Sequence, residues 1–234
     1  MAKFFQDFQS NFLEADRWQY LTAGLQNTLI ITLGALVLGV ALGTLVAIVR
    51  VSHDKADHPG QGKRLLNGLC KIYLTVIRGT PVMVQLLITY FVIFSTWDPG
   101  KLPVAIIAFG VNSGAYVAEI IRGGIMSVDP GQMEAGRSLG LSYKETMTSI
   151  VLPQAFKNVL PSLCNEGIAL LKETSVSGYM GLGELTRGAM QIASQTYSYT
   201  LPLLAIAVIY LVIVMILTKL VSLLERRLAQ SDRG

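Results

Sequence analysis

The sequence predicts an all-α integral membrane protein, and three observations carry that expectation. The 234 residues are 52% apolar and 15% charged, against roughly 25% charged in a typical soluble domain. Leu21 to Val49 and Leu201 to Thr218 contain no charged residue, and a bilayer core needs about 20 apolar residues in a helix. The net charge is +4, yet the basic residues gather in alternate connections. That pattern orients membrane helices and argues against a nucleic-acid partner.

One transmembrane domain, residues 1–234, with five spanning helices is expected. The first, 21–50, is the uninterrupted apolar run, with Trp18 and Tyr20 just ahead of it at the membrane boundary. The second, 72–96, is interrupted by Arg78-Gly79-Thr80-Pro81 and followed by Trp97. The third, 102–126, stays apolar to Ala118 and continues through Glu119 and Ile121. The fourth, 156–171, holds Asn165 and Glu166 and runs into Lys172-Glu173-Thr174. The fifth is 199–224. Polar groups on a lipid-facing helix are costly, so the second and fourth helices should face a cavity or a partner.

An odd number of spans puts the termini on opposite sides. Arg50, Lys55, Lys63, Arg64 and Lys71 follow the first span. Arg122, Arg137, Lys144 and Lys157 follow the third, and Lys219, Arg226, Arg227 and Arg233 sit at the C-terminus. Lys3, Arg17, Lys101, Lys172 and Arg187 fall on the other side. The excess places the N-terminus outside and the C-terminus in the cytoplasm. Asp7, Glu14 and Asp16 precede the first run, and no small-residue cleavage pattern does, so no cleaved signal peptide is expected. Cys70 and Cys164 read as small buried side chains, His53 and His58 as solvated loop residues, and no metal site is expected. The Gly/Ser-rich external loop, 174–199, should hold a short helix near 184–192.

The polar segment 129–153 stands out against this background. Asp129 is a good N-cap, Pro130 suits the first helical position, and Gln132 stands where a capping-box partner belongs. Gly140 can take a positive φ and end that helix. Ser142 and Glu145 form a second capping box, and Pro153 should end or kink the helix that follows. The result is a cytoplasmic helix–Gly–helix elbow presenting Met133, Leu139 and Leu141 beside Glu134 and Arg137, a shape that can seat in a groove of another protein.

Glu134-Ala135-Gly136, then Gly140, then Ile150-x-Leu152-Pro153 resembles the EAA loop of ABC importer permeases, with Gly136 where the pattern usually has Ala. "RGTPVMVQLL", "NSGAYVAEIIRGGI", "LPQAFKNVLP", "LLKETS" and "LERRLA" are similar to the polar amino acid subfamily of those permeases (the histidine, glutamine and arginine type). The resemblance implies the type I ABC importer permease fold in a bacterial cytoplasmic membrane. It implies that Met133, Glu134, Ala135, Gly136, Arg137, Leu139 and Gly140 couple the chain to an ATP-binding subunit. It also implies a second permease chain, identical or related, two ATP-binding subunits and an extracytoplasmic amino acid-binding protein. The chain lacks the Gly-x-x-x-x-Gly-Lys-Ser/Thr phosphate cradle, "GQGKR" at Gly60 being the nearest approach. No cofactor is expected on this chain, and ATP with Mg belongs to the partner. No catalytic residue is expected either.

Ionisable residues inside membrane helices are the candidates for substrate contact. Glu166 and Glu173, seven apart, share a face, and the resemblance places a substrate site around their helix; Asn165 and Asn112 join them. Asn112, Tyr116 and Glu119 share another face, and Glu119 has Arg122 three residues on, the spacing of an intrahelical ion pair. Arg78 and Pro81, with Glu119 and Arg122, are expected to have structural or gating roles. An ion-coupled secondary transporter using Glu119, Glu166 and Glu173 is the alternative, but it predicts an inverted repeat that the sequence lacks. A non-transporting membrane scaffold is the second alternative.

Overall fold

The computed structural model describes residues 2–56 and 58–231. The side chain of Lys3 and the whole of Arg233 lie outside the described residues. Within them the chain is helical, with no strand. Ten α-helices are described: α1 Ala2–Phe8, α2 Trp18–Asp54, α3 Gln61–Gly79, α4 Val82–Ile88, α5 Lys101–Met126, α6 Pro130–Ser138, α7 Tyr143–Thr146, α8 Leu152–Glu173, α9 Leu185–Thr196 and α10 Thr200–Ser231.

Among the described residues, three helices are long and apolar enough to cross a membrane: Trp18–Asp54, Lys101–Met126 and Thr200–Leu228. They correspond to the first, third and fifth expected spans. The first starts earlier than expected, so Trp18 and Tyr20 lie inside α2. The second expected span is two helices. Thr80 (φ −123°, ψ 149°) and Pro81 (φ −65°, ψ 134°) are extended between α3 and α4. Proline cannot donate to the helix ladder and biases its predecessor out of the helical region. Counted as one broken span, the pair makes a fourth candidate. The fourth expected span, α8, has 22 residues and is about 33 Å long. Its length suffices, but Lys157, Asn158, Asn165, Glu166 and Lys172 make it more polar than the other three.

The fold divides into two compact units built from separated stretches of chain. The first comprises Met1–Leu36, Pro81–Gly110 and Gly167–Lys219; the second comprises Val37–Thr80, Val111–Glu166 and Leu220–Gly234. In the first unit, Ile31, Leu86, Phe109 and Leu170 are fully buried in one cluster, and Leu185, Ala189 and Ile206 form another. Thr28 Oγ1 accepts the Leu185 N–H at 3.2 Å, and Asn27 Nδ2 donates to the Gly183 carbonyl at 2.8 Å. These bonds fix the start of α9 against α2.

In the second unit, helices approach through small residues. A Cβ on Gly39 would meet Ser113 Cβ at 2.9 Å, and one on Gly43 would meet Val117 Cβ at 2.6 Å. Lipid tails are as apolar as leucine, so membrane helices associate by this kind of close packing. Leu33, Val37, Leu45 and Ile48 on α2 and Val208, Leu211 and Met215 on α10 point outward. They form the apolar surface a bilayer requires.

Candidate functional site

The elbow occupies the second unit and is specified by its caps. Asp129 Oδ1 accepts the Gly131 N–H at 2.9 Å, with Pro130 at the first helical position. Gln132 does not close a capping box; its Oε1 accepts from Gln154 Nε2 at 3.3 Å. Helix α6 ends in a full Schellman motif. The Gly140 N–H reaches the Arg137 carbonyl at 3.1 Å and the Leu141 N–H reaches the Gly136 carbonyl at 3.2 Å. Gly140 takes φ +88°, the conformation that motif requires.

The second helix then starts from the expected box. Ser142 N–H donates to Glu145 Oε2 at 2.7 Å, and Glu145 N–H donates to Ser142 Oγ at 3.2 Å. Hydrogen bonding to the carboxylate from the Ser142 side chain and backbone lowers the Glu145 carboxyl from its ordinary value. Pro153 does not end this helix. A π-helical turn, Met147–Val151, carries α7 directly into α8, with the Leu152 N–H donating to the Met147 carbonyl. The wider turn brings Pro153 to the second position of the next helical segment, where its missing N–H is tolerated.

Under the elbow, Val128, Val151 and Ala155 are buried, with Met133 packed against them. Met133 is therefore turned partly inward, and the outward surface is Glu134, Ala135, Arg137 and Leu139, the last 82% exposed. Arg137 Nη1 ties the bend by donating to the Leu141 carbonyl at 2.9 Å. Gly136 is buried against Thr146.

A second cluster in the same unit surrounds Glu166. Ser113 Oγ donates to Glu166 Oε1 at 2.8 Å, Ser113 is fully buried, and Asn112 is buried beside it. Asn165 is exposed and Glu166 half-buried. Glu173 lies seven residues on, half-buried, in the first unit. The spacing of Glu119 and Arg122 produces the expected pair, with Arg122 Nη2 3.2 Å from Glu119 Oε2; Arg122 also reaches Asp54 at 3.6 Å. Arg78 lies over the Tyr116 ring, 5.6 Å from its centroid. Pro81 stands at the α3–α4 break.

Residues 60–230 match the family model described as "Binding-protein-dependent transport system inner membrane component". The chain belongs to this family. The permease is 37% identical to the arginine transport system permease protein ArtQ of Bacillus subtilis, over 91% of its own length and 94% of that protein. It is 35% identical to the glutamine transport system permease protein GlnP of Escherichia coli, over 89% and 92%. The crystal structure of an amino acid ABC transporter with histidines superposes with a TM-score of 0.80 at 40% identity, covering 89% of the permease and 94% of that chain. An inward-facing MetNI methionine ABC transporter gives a TM-score of 0.74 at 18% identity, covering 92% and 99%, and shows the fold alone. The permease is thus an all-helical membrane component with the type I importer fold, and a transporter part rather than an enzyme.

Three residues of the permease escaped sequence reasoning. Ser113 sits in a run of small residues with no periodic signal. Asp54 lies in what reads as a polar loop. Glu184 reads as the start of a short helix, which it is, but its role goes unread: it is fully buried and caps α9, accepting from Thr186 N–H at 2.6 Å and Arg187 N–H at 2.7 Å. Burial pushes its carboxyl up to about 6, against those hydrogen bonds and the Arg187 charge.

Proposed function

We propose that the permease forms half of an ATP-driven import pathway for a polar amino acid. Five spans with the N-terminus outside, α3–α4 counted as the second and α8 as the fourth, are the arrangement we infer. A second permease chain completes the pathway, and an extracytoplasmic binding protein delivers the substrate. Two ATP-binding subunits carry the ATP and Mg. They close on Glu134, Ala135, Arg137 and Leu139, while Met133, Gly136 and Gly140 keep the elbow in shape.

The observation that carries the substrate class is the Ser113-held, half-buried carboxylate of Glu166. It offers negative charge to an α-ammonium or a cationic side chain, with Asn112 and Asn165 as polar neighbours. Glu173 is a second carboxylate that the substrate meets along its path. Acidic groups repel dicarboxylates, so zwitterionic or cationic amino acids are favoured; the relatives named for arginine and glutamine support that choice. Glu119 and Arg122, with Arg78 and Pro81, serve as structural or gating elements.

Uptake into proteoliposomes holding the full complex, with each of the twenty amino acids as competitor, tests the reading. Competition by basic or neutral polar amino acids and none by aspartate or glutamate is expected. Uptake that persists without the ATP-binding subunits and collapses with an ion gradient would overturn it.

A further inference from the structure

Arg50, Lys71 and Arg78 line one cavity of about 490 Å³ in the second unit, with Leu74, Thr75 and Glu119. Arg50 comes from the end of α2. Lys71 and Arg78, seven residues apart, come from one face of α3. Among the described residues none of the three has a carboxylate within ion-pair distance. Arg50 Nη1 donates to Asn67 at 3.2 Å, while its Nε is buried with no hydrogen-bond partner. Arg78 is spread on the Tyr116 ring.

Glu119 is the acid in the cavity wall, and Arg122 already holds it; Asp54 holds Arg122 in turn. Four cations thus face two carboxylates, leaving two positive charges without local compensation. Clustered cations with no counter-charge attract an anion, and guanidinium groups suit the oxygens of a phosphate.

We propose that this cavity binds the phosphate of an anionic phospholipid. A free phosphate has the same head chemistry, but α3 carries a second feature that only a lipid uses. Leu65, Leu69, Ile72 and Val76 form an exposed apolar row, each more than half exposed. Successive helix positions are about 100° apart, so Ile72 follows Lys71 round the helix by that angle. Headgroup and acyl chains therefore meet adjacent faces of one helix. Basic pockets between helices at the membrane boundary take anionic headgroups in this way. The assignment does not depend on what the permease transports.

The test is binding to the purified full-length chain in a neutral detergent, read by native mass spectrometry. The probes are dioctanoyl phosphatidylglycerol, dioctanoyl phosphatidylcholine and inorganic phosphate. Phosphatidylglycerol adducts should exceed phosphatidylcholine adducts, and equimolar phosphate should not displace them. Lys71 is exposed, so Lys71→Gln leaves packing intact and should lower phosphatidylglycerol occupancy about ten-fold or more, the loss of one charge-assisted bond. Lys71→Arg should retain it, and Lys219→Gln, on α10, should not change it. Equal retention of the two lipids overturns the proposal, as does unchanged occupancy in Lys71→Gln combined with Arg50→Gln. Displacement by equimolar phosphate would reassign the cavity to a free anion and overturn the lipid.

Discussion

Gly136 lies against Thr146 with no room for a side chain between them: a Cβ at 136 would meet Thr146 Cγ2 at 2.5 Å and Oγ1 at 3.0 Å. The two helices of the elbow close on each other through that contact. The alanine usual at this position in the EAA pattern would force them apart in this chain. Gly136→Ala should destabilise the elbow by about 1–3 kcal/mol, the usual cost of overpacking, and weaken capture of the ATP-binding subunits. Thr146→Ser deletes the Cγ2 methyl and keeps the hydroxyl that donates to the Ser142 carbonyl at 3.0 Å. It should restore much of the loss in the double variant. A double-mutant cycle on thermal stability and ATPase capture checks this; additive effects of the two changes would count against the contact.

Gly140 makes the bend possible by taking φ +88°. A β-branched residue is strained there by about 1–3 kcal/mol. Gly140→Val should therefore reduce ATP-driven import steeply, while Gly140→Asn, which tolerates left-handed backbone better, should keep more of it. Stimulation of the ATP-binding subunits by substrate-loaded binding protein is the readout. Equal coupling in the wild-type and valine proteins would mean that the bend carries no force.

The Ser113 hydroxyl fixes the Glu166 carboxylate at 2.8 Å. A hydrogen bond to a charged group contributes about 1.5–3 kcal/mol, so Ser113→Ala should lower kcat/KM for uptake about ten-fold or more, chiefly through KM. Ser113→Thr keeps a hydroxyl but adds a methyl where Gly39 comes closest, and should lose stability instead. Proteoliposome uptake together with melting temperature separates the two outcomes. Unchanged KM in Ser113→Ala would remove Glu166 from the substrate path.

The parts of this fold written in local chemistry are legible in the sequence. Asp129-Pro130, Gly140 and the Ser142/Glu145 box act within a few residues of themselves, and each is found where its chemistry puts it. The parts decided by partners across the fold are not. Pro153 reads as a helix stop or kink, because nothing local announces the π-helical turn that absorbs it. The polar side chains of α8 mark it as unusual, yet the Glu166 partner is a serine fifty-three residues away. Arg78 to Pro81 signals a disturbed second span, but only the extended backbone at Thr80 and Pro81 makes it two helices. Glu184 reads as the start of a short helix, but its burial is not legible because it comes from α2, distant in sequence.

Glu184 provides the remaining prediction. Its carboxyl is fully buried at the start of α9 and sits at about 6, above the ordinary value of 4.5, because burial outweighs the Thr186 and Arg187 N–H bonds and the Arg187 charge. A raised carboxyl holds its proton more tightly folded than unfolded. Its stabilising contribution is thus complete below about 4.5 and lost as pH rises through about 6. The full span is about 2 kcal/mol as an upper bound. Between roughly pH 5 and pH 7.5 that amounts to about eight-fold in the opening equilibrium of α9. Hydrogen exchange of the α9 amides, corrected for the intrinsic pH dependence, should show greater protection at the lower pH. Glu184→Gln, which cannot ionise, should flatten that difference, and Glu184→Ala should lower protection at both by about 1 kcal/mol through loss of the cap. Greater protection at the higher pH would mean that the helix N-terminus favours the charge more than burial opposes it, and that the carboxyl titrates below its ordinary value instead of above it.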